Sequence, residues 1–239
     1  MDPCLLTVYR SPFPKLRLGR DHDGGYIIAD LPDPQYDLFL SAGIADDISF
    51  ETDFLDKYNT VPCIAYDGTI HSLPDSRNPI MFVAKNIGSE ENDETTNLHV
   101  VLELHSRVFL KMDIEGAEIP WIKSLEDHHL DHLEQIVMEF HWPFTENEIG
   151  VFERLNKHHV LIHFHANNTA GIRAHLNVFI PNVFECTYLH KRHFTRLEFN
   201  TDPIPGALDR PNAADGYDIP INHPPFVFRD YHNHHLSVS

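Results

Sequence analysis

Short apolar runs, each closed by a polar turn, recur along the chain between residues 36 and 189. Runs of this length bounded by Gly, Pro, Asp or Asn predict strands buried on both faces. They fall at 36–40, 62–66, 81–84, 108–112, 135–140, 159–164 and 182–189. Stretches with helical spacing lie between them. Residues 46–58 gather Ile48, Phe50, Phe54, Leu55 and Tyr58 on one face, and 146–157 carry Ile149, Phe152, Glu153 and Leu155 on adjoining faces. Residues 117–133 also read as helical, with a break between Leu125 and Asp131. Segment 97–105 fits either a short helix or a strand, because periodicity alone does not decide. Segment 88–97 is polar and acidic and predicts an exposed loop. Residues 1–35 carry Pro12, Pro14, Asp23-Gly24-Gly25, Pro32 and Pro34, so a turn-rich lead-in with short strands is expected, one of them at 25–29.

Strands that alternate with helices predict a parallel α/β sheet. The last two strands are parted by a long loop and suit an antiparallel pair at one edge. Residues 200–239 are again Pro-rich, which predicts an irregular wrap followed by a frayed tail. No internal repeat and no second-domain boundary is visible.

In an open α/β sheet, ligands bind beyond the carboxyl ends of the strands. That rule selects 41–47, Asp67-Gly68, 113–115, 139–141 and 165–168. Polar residues follow strands in any loop, which accounts for one or two of these. It accounts poorly for Asp113-Ile114-Glu115 and Glu139-Phe140-His141, which place several acids in one crevice, where like charges oppose one another. A cation would relieve them.

The loop after the first of these strands, Ser41-Ala42-Gly43-Ile44-Ala45, has a single Gly. It is neither the GxGxxG that cradles a pyrophosphate nor a GxxxxGK[ST] phosphate loop, and neither occurs elsewhere. Nicotinamide enzymes and phosphate-loop kinases are therefore disfavoured. Asp67 ends the next strand about 24 residues after Gly43, where an acid can accept both ribose hydroxyls. A Gly, then an acid, without a phosphate cradle, points to adenosine lacking a polyphosphate, as in S-adenosylmethionine.

Composition narrows the partners. The chain has 239 residues, with 18 Lys+Arg against 36 Asp+Glu, a formal net charge of −18. Phosphate binding without sequence preference needs a basic surplus, so nucleic acid and anionic lipid are disfavoured as partners. No apolar stretch is long enough to span a membrane, and the start lacks the basic and apolar pattern of a secretion signal. Three cysteines without CxxC spacing argue against a disulfide framework, and a reducing, cytoplasmic setting is the expectation. Nineteen histidines are scattered, without HExxH, and most read as surface or satisfied core residues. The tail Tyr231-His232-Asn233-His234-His235 resembles an adventitious metal-binding tract.

The string Lys111-Met112-Asp113-Ile114-Glu115-Gly116-Ala117-Glu118 resembles the K-(I/M)-D-(I/V)-E-G-x-E signature of FkbM-type methyltransferases. Asp23-Gly24-Gly25-Tyr26, Ser41-Ala42-Gly43 with Phe50-Glu51, Met138-Glu139-Phe140-His141, His165-Ala166-Asn167-Asn168 and Pro181-Asn182-Val183-Phe184-Glu185 are similar in order and spacing. The matches span residues 20–190. The resemblance implies a Rossmann-like class I methyltransferase fold, a mostly parallel seven-stranded sheet with helices on both faces. It implies a methyltransferase domain over 1–199, with 200–239 as an extension wrapping it. It also implies S-adenosylmethionine as donor and O-methylation of a sugar, glycan or similar hydroxylated small molecule. Ser41, Gly43, Asp47 and Glu51 are then expected around the methionine and adenosine and Asp67 on the ribose, with Asp113 also counted among the cofactor-binding residues.

A hydroxyl acceptor needs alignment and removal of its proton. A divalent cation would ease that removal. Asp113, Glu139 and His141 are the candidate ligands, because residues two apart on a strand face one side. Such a set suits Mg²⁺ or Mn²⁺. The candidate catalytic groups are Asp113, His141 and His165, with His165 as the base and Asn167 as a substrate or metal contact. Each has a structural alternative. Glu115 could be an N-terminal helix acid, Glu139 could pair with an Arg or Lys, and His141 could pack on Trp142. His165 could be purely structural. Asp23 and Tyr26 could line the substrate mouth, or Asp23-Gly24-Gly25 could be only a turn. Two rival functions are a metal-dependent hydrolase and an inactive methyltransferase-fold module that binds a glycan or protein partner.

Overall fold

The computed structural model describes all residues except 1, 33–35, 75, 142–148 and 230–239. The N-terminal segment forms a hairpin of β1 (Lys15–Leu18) and β2 (Tyr26–Ala29). Then follow β3 (Leu38–Ala42), α1 (Ser49–Lys57), β4 (Cys63–Tyr66) and β5 (Ile80–Val83). A small ribbon of β6 (Asn86–Ile87) and β7 (Thr95–Thr96) precedes α2 (His99–Glu103) and β8 (Val108–Met112). Next come α3 (Glu118–Ser124), α4 (Asp127–His132), β9 (Leu133–His141), α5 (Ile149–His158) and β10 (His159–Ala166). A hairpin of β11 (Ile172–His175) and β12 (Val178–Pro181) leads into β13 (Val183–His190).

The main sheet has seven strands in the order β10-β13-β9-β8-β3-β4-β5. It is mixed. β9, β8, β3, β4 and β5 pair in parallel, whereas β13 runs antiparallel to both β9 and β10. The expected mostly parallel sheet therefore needs correction to a mixed one. The reason is topological: β13 returns by hairpin and inserts between its two neighbours. The segment 97–105, open between helix and strand, contains α2. The break expected within 117–133 falls where Leu125 turns extended and ends α3, and strand β9 begins already at Leu133.

Strands buried on both faces explain the continuous apolar runs. Leu38, Leu40, Leu110, Met112, Ile136 and Met138 face a core closed by helices through Leu102, Trp121, Ile122, Phe152 and Leu155. On the other face Phe39, Phe109 and Val137 meet Tyr26 and Ile28 of the hairpin and Phe50 and Phe54 of α1. Phe39 and Phe109 lie 4.3 and 4.5 Å, ring centre to ring centre, from Phe54. Each such ring, fully buried, contributes about 1.5–3 kcal/mol. A buried amide on that face, Gln135, accepts from Ala29 N at 2.7 Å and donates to Ala29 O at 3.2 Å and Tyr36 Oη at 2.8 Å. That satisfies the amide and pins the hairpin across the sheet.

The Pro-rich segment beyond residue 200 packs on β10. The Phe226 ring lies tilted against Phe164 with centres 4.5 Å apart, and Ile204, Ile221 and Val227 join the helix-side core. Asn200 N donates to Val8 O, and Phe228 N donates to Asn200 O. The N- and C-terminal segments are thus brought to the same edge of the sheet. The His-rich tail and Trp142 lie outside the described residues.

Candidate active site

Four parallel strands end at one crevice, and the backbone there is tight. Gly43 follows β3 at φ +76°, and a Cβ on it would stand 1.6 Å from Asp113 O. Only glycine fits such a conformation and approach. Asp67 follows β4 and organises the same loop. Its Oδ2 accepts from Ile44 N at 2.9 Å and Ala45 N at 2.8 Å, and its Oδ1 accepts from Thr69 N at 2.7 Å and Thr69 Oγ1 at 2.6 Å. Burial raises the carboxyl's pKa, but the Thr69 hydroxyl and the three amides outweigh it and hold the group below its ordinary value. Beside this loop opens a cavity of about 310 Å³ whose walls include Gly43, Asp67, Thr69, Asn86, Asp113 and Ala117.

The expected cofactor residues divide here. Gly43, Asp67 and Asp113 line the cavity, while Ser41, Asp47 and Glu51 do not. Ser41 Oγ donates to buried Glu51 under the hairpin. Asp47 accepts from Ser49 N and Ser49 Oγ at the start of α1 and pairs with Arg20 at 3.2 Å. Ser41 points to the hairpin side of β3, Glu51 reaches back to it from α1, and Asp47 stands at the start of that helix.

The expected ligand trio does come together. Ligand atoms of Asp113, Glu139 and His141 lie within 4.8 Å of one another. Asp113 Oδ2 accepts from Tyr26 Oη at 3.1 Å, so the hairpin of the lead-in reaches the crevice. Its Oδ1 is buried with no partner among the described residues, and so is Glu139 Oε2. Glu139 Oε1 accepts from Asn167 Nδ2 at 3.0 Å, so its partner is an amide rather than an Arg or Lys. Desolvation raises both carboxyls, and Glu139 goes well above its ordinary range because Asp113 and Glu185 add their charge. Two buried oxygens without donors beside an imidazole form an arrangement that a cation would satisfy. On the far side Lys111, also buried, donates to Gly43 O at 2.6 Å and lies 5.5 Å over the Tyr26 ring.

His141 and the turn after β8 are joined by a residue whose role was not read from the sequence. Glu118, 0% exposed, accepts through Oε1 from Ile114 N at 3.2 Å, Gly116 N at 3.1 Å and His141 Nδ1 at 3.1 Å. It is the last acid of the 111–118 string, which was the only signal available. Glu115, weighed as a helix acid, is instead 85% exposed in its side chain and lies 3.3 Å from His141 Nε2. Burial lowers the His141 pKa, but Glu118, Asp113 and Glu115 more than offset it, and the ring titrates above its ordinary value.

His165 stands differently from its expected role as a base. It is 1% exposed, with Nδ1 3.2 Å from Glu185 Oε2 and Nε2 2.8 Å from Asp218 Oδ1. Burial favours the neutral ring, yet those two hydrogen bonds push the pKa up to about 10. A charged ring that donates from both nitrogens has no lone pair to offer at neutral pH, so the geometry assigns it a pairing role. Asn212 Nδ2 donates to Glu185 Oε1 at 2.8 Å, and His163 lies 3.0 Å from Asp209. The segment beyond 200 thus supplies Asp209, Asn212 and Asp218 to the polar end of β10 and β13. Asp23 sits in the turn beside this segment, its N–H donating to Asn212 O.

A second acid and histidine group, Glu103, His128 and His129, lies between α2 and α4. There His129 Nδ1 accepts from Glu126 N at 3.0 Å, so the neutral ring carries its hydrogen on Nε2 and has no lone pair for a metal on that side. Among the described residues no helix is long and apolar enough to cross a membrane.

Comparison with known families matches the methyltransferase FkbM domain over residues 12–189. A comparison with curated proteins finds no match.

Proposed function

The chain belongs to the FkbM methyltransferase family, and on that premise we propose that it is an S-adenosylmethionine-dependent O-methyltransferase acting on a hydroxyl of a sugar, glycan or similar small molecule. The observation that carries the reading is the position of Asp113. It lines the 310 Å³ cavity beside Gly43 and Asp67, and it also stands with Glu139 and His141. One residue therefore joins a cofactor-sized space to a cluster of proton-accepting groups.

Bound S-adenosylmethionine supplies an electrophilic methyl group. The chain's own residues do the remainder. Gly43 lets the backbone approach closely, and Asp67 holds the Ile44 and Ala45 amides in place beside the adenosine end. Asp67 already accepts four hydrogen bonds, so Thr69 Oγ1, the mobile donor among them, is the one a ribose hydroxyl would replace. Asn86 lines the same wall. On the acceptor side, Asp113, Glu139 and His141 face the hydroxyl to be activated, with Asn167 holding Glu139 and Tyr26 holding Asp113. A divalent cation, Mg²⁺ or Mn²⁺, fits these oxygen and nitrogen donors and would lower the pKa of the hydroxyl. The acidic surroundings favour a neutral acceptor over a phosphorylated one and argue against nucleic acid.

The hydrolase alternative leaves the Gly43–Asp67 cavity without use, and an inactive module leaves the unpartnered carboxylate oxygens without use. The test is calorimetric titration of S-adenosylmethionine into metal-stripped protein, repeated with Mg²⁺ and Mn²⁺, followed by methyl transfer from labelled donor to a panel of neutral sugars. Micromolar binding and labelled product are expected. No binding under any of these conditions would overturn the reading.

A further inference from the structure

Glu118 has more to do than close a turn. A carboxylate that only capped the loop after β8 would be satisfied by the Ile114 and Gly116 amides and could sit at the surface. Instead it is wholly buried, and the same Oε1 that accepts both amides also meets His141 Nδ1 at 3.1 Å. An oxygen that accepts two amide hydrogens is an acceptor toward the ring as well, so Nδ1 carries the hydrogen. In the neutral ring the lone pair is then on Nε2. Nε2 is the nitrogen that faces the carboxylates, 3.6 Å from buried Glu139 Oε1 and 3.3 Å from the exposed Glu115 Oε2.

We propose that Glu118 is the positioning residue that holds His141 with its Nε2 lone pair toward Asp113 and Glu139, as a ligand for a divalent cation. Carboxylate–histidine pairs of this kind orient a ring and raise its strength as a ligand. The sequence string carries the logic in compact form. Asp113, the first acid of the turn, is itself a ligand, and Glu118, the last, orients the ligand contributed by the neighbouring strand. The contrast with His129 is instructive: there Nδ1 accepts a backbone hydrogen, and the ring presents N–H rather than a lone pair. The proposal rests on the cation reading given above, and its test separates the two.

The full chain would be titrated with Mn²⁺, following the electron spin resonance signal of the free ion, and with S-adenosylmethionine by calorimetry. Nitrogen-15 spectra of the imidazoles would report the tautomer, with His141→Gln used to assign the signal. The unaltered chain should show hydrogen on Nδ1 of His141. Glu118→Ala should weaken Mn²⁺ binding by about 10- to 100-fold, shift the ring toward Nε2–H, and leave S-adenosylmethionine affinity within a few-fold. Glu118→Gln keeps a carbonyl oxygen for the ring and both amides, and should restore Mn²⁺ binding and the tautomer. Hydrogen on Nε2 in the unaltered chain overturns the proposal. So does a Glu118→Ala protein that loses cofactor and Mn²⁺ affinity in equal measure, because that is loop damage alone. Absence of Mn²⁺ binding in the unaltered chain removes the cation premise, and the nitrogen spectrum then still decides which way Glu118 turns the ring.

Discussion

Replacing His165 by Gln measures the charge pairing at the polar end of β10. The ring lies between Glu185 and Asp218 at 3.2 and 2.8 Å and has almost no contact with solvent. Other titratable groups near it are Asp209 and His163. Its pKa rises from 6.5 when unfolded to about 10 when folded. At about 1.4 kcal/mol per unit, that difference corresponds to about 5 kcal/mol of stability. The sign follows from the direction. The folded chain holds the proton more tightly, so the contribution is complete below pH 6.5 and is lost as pH rises through about 10. Gln fills much of the space but cannot carry charge, and it leaves two carboxylates without their cation. Breaking a buried pair in this way costs about 3–5 kcal/mol at neutral pH.

Guanidinium unfolding of both chains between pH 6 and pH 10.5 is the assay. Lys and Tyr groups titrate alike in the two proteins and cancel in the difference. The stability gap should stand near 3–5 kcal/mol at pH 7 and shrink below about 1 kcal/mol at the alkaline end. A gap that stays constant across the range, or one already below about 1 kcal/mol at pH 7, would refute the argument that His165 is a buried imidazolium.

Gly43→Ala forces a Cβ onto Asp113 O at positive φ and should cost about 2–5 kcal/mol, read as a lower denaturation midpoint, along with cofactor affinity. Asp67→Ala strips four donors of their acceptor and should cost about 2–4 kcal/mol at neutral pH, with at least tenfold weaker S-adenosylmethionine binding by calorimetry. Because the Asp67 pKa is depressed on folding, that stabilisation is present above pH 4 and should fade as pH drops through the lowered value, a trend Asp67→Asn abolishes. A chain ending at residue 199 loses the buried Ile204, Ile221, Phe226 and Val227, about 6–12 kcal/mol of burial. That rivals a domain's whole stability, so circular dichroism should find it unfolded or molten.

The sheet was legible because most of its strands are buried on both faces. Their apolar runs need no alternation, and 36–40, 62–66 and 108–112 each fall on a strand. What periodicity does not encode is who pairs with whom. β13 and β10 form the antiparallel edge pair that their long connection suggested, but nothing in their apolar runs says that β13 lies inside, between β10 and β9. The β11–β12 hairpin was lost inside an expected loop for a different reason. Its turn uses Leu176 and Asn177 at positive φ, without the glycine that announces such turns.

The site divides along the same physical line. Asp113, Glu139 and His141 could be found because Asp113 directly follows β8 and the other two lie in the last three residues of β9, and parallel strands deliver their ends to one place. His165 also lies at the end of a strand, and there the same logic pointed to a base where the ring's partners point to charge pairing. Its partners are 20 and 53 residues away, and one of them, Asp218, lies beyond the 12–189 span of the family match. An imidazole's role is set by what its two nitrogens meet, and strand-end logic locates the ring without naming those partners. Glu118 makes the same point from the opposite direction. It sits a few residues from Asp113 in the most recognisable string of the chain, but its function depends on a ring that arrives from β9, 23 residues on. Strand ends can therefore be read from sequence as places, whereas the protonation and orientation of the groups there are read only from long-range neighbours. In this chain the lead-in hairpin and the segment beyond residue 200 supply many of those neighbours.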